Sequence, residues 1–313
     1  MVTFKTSQVN QLKRQLGVFD PANSNVQSPL LRNYLEFYGL PNASSQNYVT
    51  IGHLSVNQKP IFTAAWRPPN ALGTALVVHG YMDHLGLYGH LINFLLSQKL
   101  AVVCFDLPGH GLSAGESGYI EDFTEYTDVL EELIELCQQQ FPAPLYGLGQ
   151  SMGGAVLLKH LINQGNQTQY PFKGLNLFAP LLHPKAWRTT RRFLPLVKLF
   201  NKSVKRVFRP SSYDLTFLDF LRTQDPLQPL TIPIAWLSAA DKWVHEFESS
   251  RGSDFPLTII QGNADKTLDW RYNIEAFTDK LTNLNLRMID HANHHMVNEI
   301  EPLRRDIFQA IEL

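Results

Sequence analysis

A serine stands between two glycines in the stretch Gly149-Gln150-Ser151-Met152-Gly153, where an apolar run gives way to a helix-like run. This is the pattern of a nucleophile elbow, a sharp strand-to-helix turn that exposes a serine hydroxyl. The turn forces the serine toward unfavourable backbone angles, so the residues two positions away on either side must lack bulk. A helix that starts after Ser151 also directs free N–H groups at any anion formed there. The pattern predicts acyl transfer, whereas the alternative is a glycine-rich loop with an incidental serine.

The acid that supports this chemistry is expected after the serine in the chain. A serine hydroxyl is a weak nucleophile at neutral pH, so Ser151 needs a histidine base and the histidine needs an acid. Asp265 follows the apolar run 257–260 through a glycine turn, which predicts its carboxylate at the sheet edge where Ser151 emerges. It is preferred over three other acids that are ordinary in loops, helices or strand ends: Asp241, Asp269 and Asp290.

The base is expected after the last apolar run, 284–289, where three histidines stand within five positions: His291, His294 and His295. His294 is preferred because a small residue two positions earlier suits a tight turn, and His295 and then His291 are the alternatives. A solvated histidine cluster is a further interpretation. A metal site with Asp290 is disfavoured because adjacent side chains in a turn diverge, so no metal is expected.

Acyl transfer also places negative charge on a carbonyl oxygen, which requires hydrogen-bond donors. One donor is expected to be the N–H of Met152, directly after the serine. The second is expected from the loop 79–84 after the third strand, where the N–H of Tyr81 is the best candidate. His79 is interpreted as a structural histidine that hydrogen-bonds this loop.

Short strand-like runs and helix-like runs alternate along most of the chain. Tyr48–Val56 and 61–66 predict an antiparallel hairpin. The next runs are mostly apolar and predict buried parallel strands: 75–78, 101–105, 145–148, 175–178, 257–260 and 284–289. Helix-like segments lie between or after them: 88–98, 123–140, 151–163, 271–281 and 302–311. This alternation predicts an α/β fold whose mostly parallel sheet is covered by helices on both faces.

Two regions depart from the alternation. Residues 182–256 contain no convincing buried strand and are rich in prolines, aromatic residues and basic residues, which predicts a mostly helical cap or lid. This cap would be inserted into a core formed by residues 46–181 and 257–313. Residues 1–45 are polar and predict an N-terminal extension, with regular structure starting later.

The cap contains a strongly basic segment. Residues 185–209 include nine lysines and arginines and no acidic residue, and apolar residues recur at helical spacing, as in an amphipathic helix. One interpretation is a helix whose apolar face packs on the core while its charges are solvated. The other is a contact with anionic membrane or phospholipid headgroups.

Composition narrows the class of protein. The chain has 313 residues, of which 44% are hydrophobic, and a formal net charge of -1, which gives no general attraction to nucleic acid. The two cysteines, Cys104 and Cys137, are too few for a disulfide framework and are expected to be buried. No export signal or membrane-spanning run is visible, so a cytoplasmic protein is expected, with contact at the inner membrane face if the basic cap provides it.

The residues resemble the α/β-hydrolase superfamily and, more narrowly, its branch of monoacylglycerol lipases and bacterial lysophospholipases. The resemblance spans about residues 60–305 and rests on these motifs: His79-Gly80-Tyr81-Met82-Asp83-His84, Phe105-Asp106-Leu107-Pro108-Gly109-His110-Gly111-Leu112-Ser113, Gly149-Gln150-Ser151-Met152-Gly153-Gly154, Gly262-Asn263-Ala264-Asp265 and Ala292-Asn293-His294 with Asn298-Glu299. It implies an α/β-hydrolase fold with a catalytic triad, Ser151, Asp265 and His294, and with Tyr81 and Met152 as oxyanion donors. His291 and His295 depart from the branch, which usually has glycine at the first position and an acidic or apolar residue at the second.

The function expected from these residues and this resemblance is cofactor-independent hydrolysis of a carboxylic ester in a single-chain lipid, a lysophospholipid or a monoacylglycerol. The reaction would pass through an acyl-enzyme on Ser151. A peptidase or thioesterase on the same scaffold is the alternative enzyme. Specificity for an N-terminal amine would need an acidic cap residue, for which the candidates are Asp225, Asp241, Glu246 and Glu248. A non-catalytic binding protein is the alternative from another class.

Overall fold

The computed structural model describes residues 3–23, 26, 28–44, 47–165 and 170–313, so the predicted boundary between residues 45 and 46 lies outside the described residues. The strands found there are β1 Tyr48–Val56, β2 Lys59–Arg67, β3 Thr74–Val78, β4 Ala101–Phe105, β5 Leu145–Gln150, β6 Gly174–Phe178, β7 Ser203–Lys205, β8 Thr231–Pro233, β9 Leu257–Gly262 and β10 Leu284–Ile289. The α-helices are α1 Thr6–Gln15, α2 Pro29–Phe37, α3 Gly89–Ser97, α4 Thr124–Gln140, α5 Met152–Gln164, α6 Trp187–Phe200, α7 Leu215–Thr223, α8 Ile234–Ser249, α9 Trp270–Lys280 and α10 Glu301–Gln309.

One sheet of eight strands forms the centre of the protein, in the order β1-β2-β4-β3-β5-β6-β9-β10. β1 and β2 form the predicted antiparallel hairpin, and β2 also pairs antiparallel with β4. The other neighbours pair in parallel, so the carboxyl ends of β3, β5, β6 and β9 meet at one edge of the sheet. The prediction of a mostly parallel sheet is confirmed.

Helices cover both faces of the sheet. Neighbouring residues of a strand point to opposite faces, and each face of β3 meets a different hydrophobic cluster. Leu76 packs in a cluster that includes Leu130 of α4 and Leu157 of α5. Val77 packs on the other side, in a cluster that includes Ile92 of α3. The edge strand β10 is less buried than predicted from 284–289, because it has a strand neighbour, β9, on one side only.

The expectation that regular structure starts after residue 45 is wrong. Helices α1 and α2 each bury an apolar stripe against the hairpin side of the sheet, with Leu12 and Tyr34 almost fully buried. The ring of Tyr34 meets that of Phe62 in β2 edge to face, with centroids 5.6 Å apart. The polar composition of this segment conceals the stripes, because few of its residues contribute to the buried face.

Residues 182–256, which are predicted to form a cap, contain α6, α7, α8 and a small sheet of β7 and β8. The prediction of a single amphipathic helix across residues 185–209 is wrong beyond Phe200, where helix α6 ends. The reason is tertiary pairing, since Val204 lies in β7 and pairs with Ile232 of β8. No helix within the described ranges combines the length and the apolar character that crossing a membrane requires.

Candidate active site

Ser151 occupies the turn between β5 and α5 in a conformation that L-residues rarely adopt, with φ 53° and ψ −111°. β5 continues two residues past the predicted end at 148, because it keeps pairing with β6 up to Gln150. The turn requires both glycines. A Cβ on Gly149 would lie 2.6 Å from the backbone of Gly153, and a Cβ on Gly153 would lie 2.1 Å from a carbonyl oxygen of β3. The backbone therefore holds the serine at the amino end of α5, where the elbow pattern predicts it.

Three side chains form a hydrogen-bonded chain at this sheet edge. The Oγ of Ser151 lies 2.9 Å from Nε2 of His294, and Nδ1 of His294 lies 2.8 Å from Oδ2 of Asp265. In the tautomer with its proton on Nδ1, His294 donates to the carboxylate and accepts from the serine hydroxyl. The exposed fractions of Ser151, His294 and Asp265 are 9%, 8% and 5%. This geometry permits proton transfer from the serine to the histidine.

Asp265 is held as a carboxylate. Burial alone would raise its pKa, but the charge and hydrogen bond of His294, together with the N–H groups of Leu268 and Thr267, lower the pKa below the ordinary value. Both N–H groups donate to Oδ1, at 3.0 and 2.7 Å. The three other acids lie elsewhere: Asp241 pairs with Arg191, Asp290 accepts from Asn263, and Asp269 precedes α9.

The histidine cluster separates into three different environments. Burial disfavours the charged form of His294, but the charge of Asp265 and its hydrogen bond outweigh this effect and raise the pKa of His294 above 6.5. His295 instead lies 3.2 Å from Asp83, and His291 is exposed. Within the described part of the chain, no group of three or more histidine, cysteine or acidic side chains is arranged to hold a metal ion.

Two backbone donors stand beside the serine. Met152 is the first residue of α5, and neither its N–H nor that of Tyr81 donates to a protein acceptor in the part of the chain that is described. Tyr81 follows Gly80, where a Cβ would lie only 3.5 Å from Cβ of Ser151, so the loop runs directly along the serine. Two such donors suit a developing oxyanion, and this role for Tyr81 and Met152 stays a prediction.

His79 has structural contacts. Its Nδ1 lies 2.7 Å from the carbonyl oxygen of Gly80, and its Nε2 accepts from the N–H of Leu107 at 2.9 Å. Burial, with help from the neighbouring His110, lowers the pKa of His79 to about 3. A neutral imidazole therefore connects the loop after β3 to the loop after β4, and its hydrogen bonds go to these loops and not to Ser151.

A second network, which the sequence reasoning missed, holds the loop that carries Tyr81. The N–H of Gly80 donates to the hydroxyl of Tyr88 at 2.9 Å, and that hydroxyl donates to Asp83 at 3.0 Å. Burial would raise the pKa of Asp83, but His295 outweighs this effect and holds the pKa well below its ordinary value. His295 lies 212 positions from Asp83 in the chain, so no local pattern in the sequence indicates that this histidine completes the network.

The loop that carries His294 is also fixed by side chains that were not predicted as functional. The amide of Gln150 donates to the carbonyl oxygen of His294 at 2.8 Å. Glu299 is fully buried and accepts from the N–H of Asn293 at 2.7 Å and from the hydroxyl of Ser212 at 3.2 Å. Ser212 belongs to the cap, so one carboxylate connects the cap to the histidine loop. The sequence signal is that Gln150 and Glu299 stand within the motifs quoted above, although no role follows from those motifs alone.

A cavity of about 640 Å³ opens onto Ser151 and His294 beneath the cap. The cap supplies most of its lining residues, and most of those are apolar, among them Phe208, Leu215, Leu218, Ile232, Trp236 and Leu237. The ring of Trp236 stacks on that of Tyr81, with centroids 3.6 Å apart. The cavity therefore suits a substrate with a large apolar part that reaches the serine.

Four cap acids were candidates for binding a substrate amine, and none of them is among the residues that line this cavity: Asp225, Asp241, Glu246 and Glu248. Asp225 lies 3.0 Å from His84, and Glu248 lies 2.9 Å from His183. The carboxylates that do line the cavity, Asp83 and Asp219, are paired with His295 and Arg222. Asp241 and Glu246 pair with a basic side chain as well, so every one of these carboxylates already has a partner within the protein.

A protein family model matches most of the chain and shows the family to which it belongs. The family model described as "Hydrolase_4: Serine aminopeptidase, S33" matches residues 69–301, which is most of the chain. The chain belongs to this α/β-hydrolase family. The match includes the elbow, Asp265 and the histidine loop, and it excludes α1, α2, β1 and β2.

This α/β-hydrolase is 25% identical over 254 residues to phospholipase YtpA of Bacillus subtilis, covering 78% of the chain and 95% of the relative. It is also 25% identical over 285 residues to the monoglyceride lipase of Homo sapiens, covering 85% and 90%. The crystal structure of a soluble variant of monoglyceride lipase from Saccharomyces cerevisiae matches with a TM-score of 0.70 at 18% identity, covering 82% of the chain and 91% of that chain. The predicted fold class and the resemblance to the monoacylglycerol lipase branch are confirmed, and the relatives support a lipid ester hydrolase.

Proposed function

We propose that this α/β-hydrolase cleaves the carboxylic ester of a single-chain lipid, a lysophospholipid or a monoacylglycerol, through an acyl-enzyme on Ser151. The observation that carries the proposal is the hydrogen-bonded triad of Ser151, His294 and Asp265 beside a mainly apolar cavity, which Ser151 and His294 line. An acyl chain fits the apolar wall while its ester lies at the serine. The names of the relatives, a phospholipase and a monoglyceride lipase, support a lipid ester as the substrate.

The reaction follows from the contacts of Ser151. His294 takes the hydroxyl proton while the serine oxygen forms a bond to the ester carbon, and the N–H groups of Tyr81 and Met152 stabilise the resulting oxyanion. The intermediate collapses as the bond to the alcohol oxygen breaks, and His294 returns the proton to the leaving alcohol. Water then attacks the acyl-enzyme in the same way and releases the fatty acid. Asp265 orients His294 and stabilises its charged form throughout.

The choice between ester and peptide substrates can be measured directly. We expect hydrolysis of p-nitrophenyl esters and of monoacylglycerol, and no detectable hydrolysis of aminoacyl anilides. The four cap acids considered for binding an amine lie outside the cavity, and the cap carboxylate that lines it, Asp219, is already paired with Arg222. Faster cleavage of aminoacyl anilides than of esters would overturn the proposal in favour of a peptidase. A thioester substrate with the same acyl chain separates a thioesterase from an esterase.

We also propose that the cap contacts an anionic membrane surface. Helix α6 leaves four large apolar side chains exposed, with exposed fractions of 53% for Phe193, 56% for Leu196, 75% for Leu199 and 78% for Phe200. Basic residues lie in the same helix, among them the exposed Arg191 and Arg192. Apolar side chains beside cations are what a membrane-surface helix presents to anionic lipid.

Vesicle co-sedimentation tests this contact. The protein should bind vesicles that contain phosphatidylglycerol more tightly than vesicles of phosphatidylcholine alone, and added salt should weaken the difference. Equal binding to neutral and anionic vesicles would contradict the proposed contact with an anionic surface. A cytoplasmic location at the inner membrane face stays a prediction.

A further inference from the structure

Arg206 is a cation in the wall of the cavity that opens onto Ser151. It directly follows β7, and its N–H donates to the carbonyl oxygen of Leu230 at 3.0 Å, which fixes its backbone beside β8. Its Nη1 donates to Oε1 of Gln228 at 2.6 Å and to the carbonyl oxygen of Pro229 at 3.2 Å. The guanidinium is therefore held in position before any ligand arrives.

Most of the hydrogen-bonding capacity of Arg206 remains available. A guanidinium has five N–H donors, and both bonds above use Nη1, so Nε and Nη2 have no protein acceptor among the described residues. The ring of Phe208 lies 4.3 Å from the guanidinium carbon and supports its plane. Arg222, another arginine of the cavity wall, differs because it pairs with Asp219 at 3.0 Å. Arg206 forms no ion pair with any carboxylate in the described part of the chain.

The charges around the cavity favour an anion near Arg206. Burial lowers the pKa of its guanidinium below the ordinary value, while the negative charges of Asp83 and Asp225 oppose the shift. Arginine keeps its charge at neutral pH. The cavity wall contains three arginines and two carboxylates, and both carboxylates have partners of their own: Arg206, Arg209, Arg222, Asp83 and Asp219. An incoming anion therefore meets an excess of positive charge.

We propose that Arg206 binds the phosphate of a lysophospholipid, so that this chain selects a phosphate-bearing substrate over a neutral monoacylglycerol. The inference rests on the proposed ester hydrolysis at Ser151. With the acyl chain along the apolar wall, the glycerol backbone carries the phosphate away from the ester, and the planar fork of the guanidinium matches two phosphate oxygens. A neutral headgroup would leave the partly buried charge of Arg206 without an anion.

Binding of ether-linked analogues tests this site without depending on hydrolysis. We would measure Kd for an alkyl glycerol 3-phosphate and for the matching alkylglycerol, both below their micelle-forming concentrations, by isothermal titration calorimetry. Neither ligand contains an ester, so neither can be cleaved. Arg206→Met removes the charge, Arg206→Lys keeps the charge without the planar fork, and Arg251→Met is the control because Arg251 is exposed and outside the cavity wall.

The wild type should bind the phosphate ligand more tightly than the alkylglycerol. Arg206→Met should reduce that preference by at least roughly 10- to 100-fold, the factor expected for each hydrogen bond to a charged group that is lost. Arg206→Lys should fall between it and the wild type, and Arg251→Met should match the wild type. An unchanged preference in Arg206→Met, with a melting temperature close to that of the wild type, would overturn the proposal.

Glycerol 3-phosphate distinguishes a lipid headgroup from a free phosphate ester. It should bind far more weakly than the alkyl glycerol 3-phosphate, whereas equal binding would overturn the assignment to a lipid. Hydrolysis of the corresponding ester substrates by the wild type is measured separately. Failure there would contradict the proposed reaction while the Kd values still report on Arg206.

Discussion

The edge of the sheet around Ser151 and the cap above it are built in opposite ways. At the sheet edge, buried polar groups hold one another, as in the bonds of His294 to Ser151, to Asp265 and to Gln150. In the cap, large apolar side chains such as Leu199 and Phe200 are exposed. A hydrogen-bonded site keeps one geometry, which chemistry requires, whereas an exposed apolar surface suits a changing partner such as a lipid. With the proposed function, the core would determine the reaction and the cap would determine which substrates reach it.

Among substitutions in the core site, loss of the Ser151 hydroxyl should have the greatest effect on activity. Ser151→Ala should lower kcat for a p-nitrophenyl ester by about 10⁴- to 10⁶-fold, because no other nucleophile adjoins His294 among the described residues. The melting temperature is the control, and it should stay close to that of the wild type since the substitution removes only one oxygen. Activity within tenfold of the wild type would contradict the role of Ser151.

A somewhat smaller loss is expected at Asp265. Asp265→Asn should lower kcat by about 10³- to 10⁴-fold, because the amide favours the wrong tautomer of His294. The pH dependence of kcat/KM tests the coupling between Asp265 and His294. The base must be neutral, and the pKa of His294 is raised, so kcat/KM of the wild type should fall as pH drops through a midpoint above 6.5. Removing the negative charge should move this midpoint to lower pH, and an unmoved midpoint would contradict the coupling.

Substitutions of the three clustered histidines should differ in their effects on activity and stability. His295→Ala removes the imidazole that pairs with the buried Asp83 and leaves it only the hydroxyl of Tyr88, which should destabilise the protein by about 1–3 kcal/mol and lower kcat roughly tenfold through the loop of Tyr81. His291→Ala is the matched control, because His291 is exposed, and it should change neither quantity. Urea unfolding and ester hydrolysis measure both. A loss in His295→Ala as large as that in His294→Ala would contradict the assignment of the base.

Local sequence patterns predict the residues of the core site, but not all of the hydrogen bonds and ion pairs that hold their loops in place. The elbow, Asp265 and His294 each follow a strand-like run, and the parallel sheet brings their strand ends to one edge. The pairing of Asp83 with His295 joins residues 212 positions apart, so nothing near either residue indicates it. The same holds for Tyr34, whose burial depends on the hairpin that it packs against.

In the cap, the helical spacing of apolar residues does not predict where the helix ends. Apolar residues continue at helical spacing past Phe200, but the pairing of β7 with β8 ends the helix there. That pairing decides where Arg206 stands, and composition alone shows it as one basic residue among nine. Tertiary contacts therefore overrode the local pattern in the region where substrate selection is proposed.

The smallest expected effect lies in the cap. A double substitution of Leu199→Glu and Phe200→Glu should reduce binding to anionic vesicles several-fold, because it places negative charge on the exposed apolar surface. Hydrolysis of vesicle-borne substrate should fall more than hydrolysis of a short dispersed ester. Lys99→Glu, an exposed change outside the cap, controls for net charge. An equal loss on both substrates would mean that α6 acts on the site and not on the membrane.

The proposed reaction depends first on Ser151 as the nucleophile of the core site. Treatment of the wild type and of Ser151→Ala with a fluorophosphonate, followed by mass spectrometry of the peptides, tests it most directly. We expect one phosphonyl adduct on Ser151 in the wild type and none in the variant. An unlabelled wild type, or an adduct on another residue with Ser151 unmodified, would contradict it.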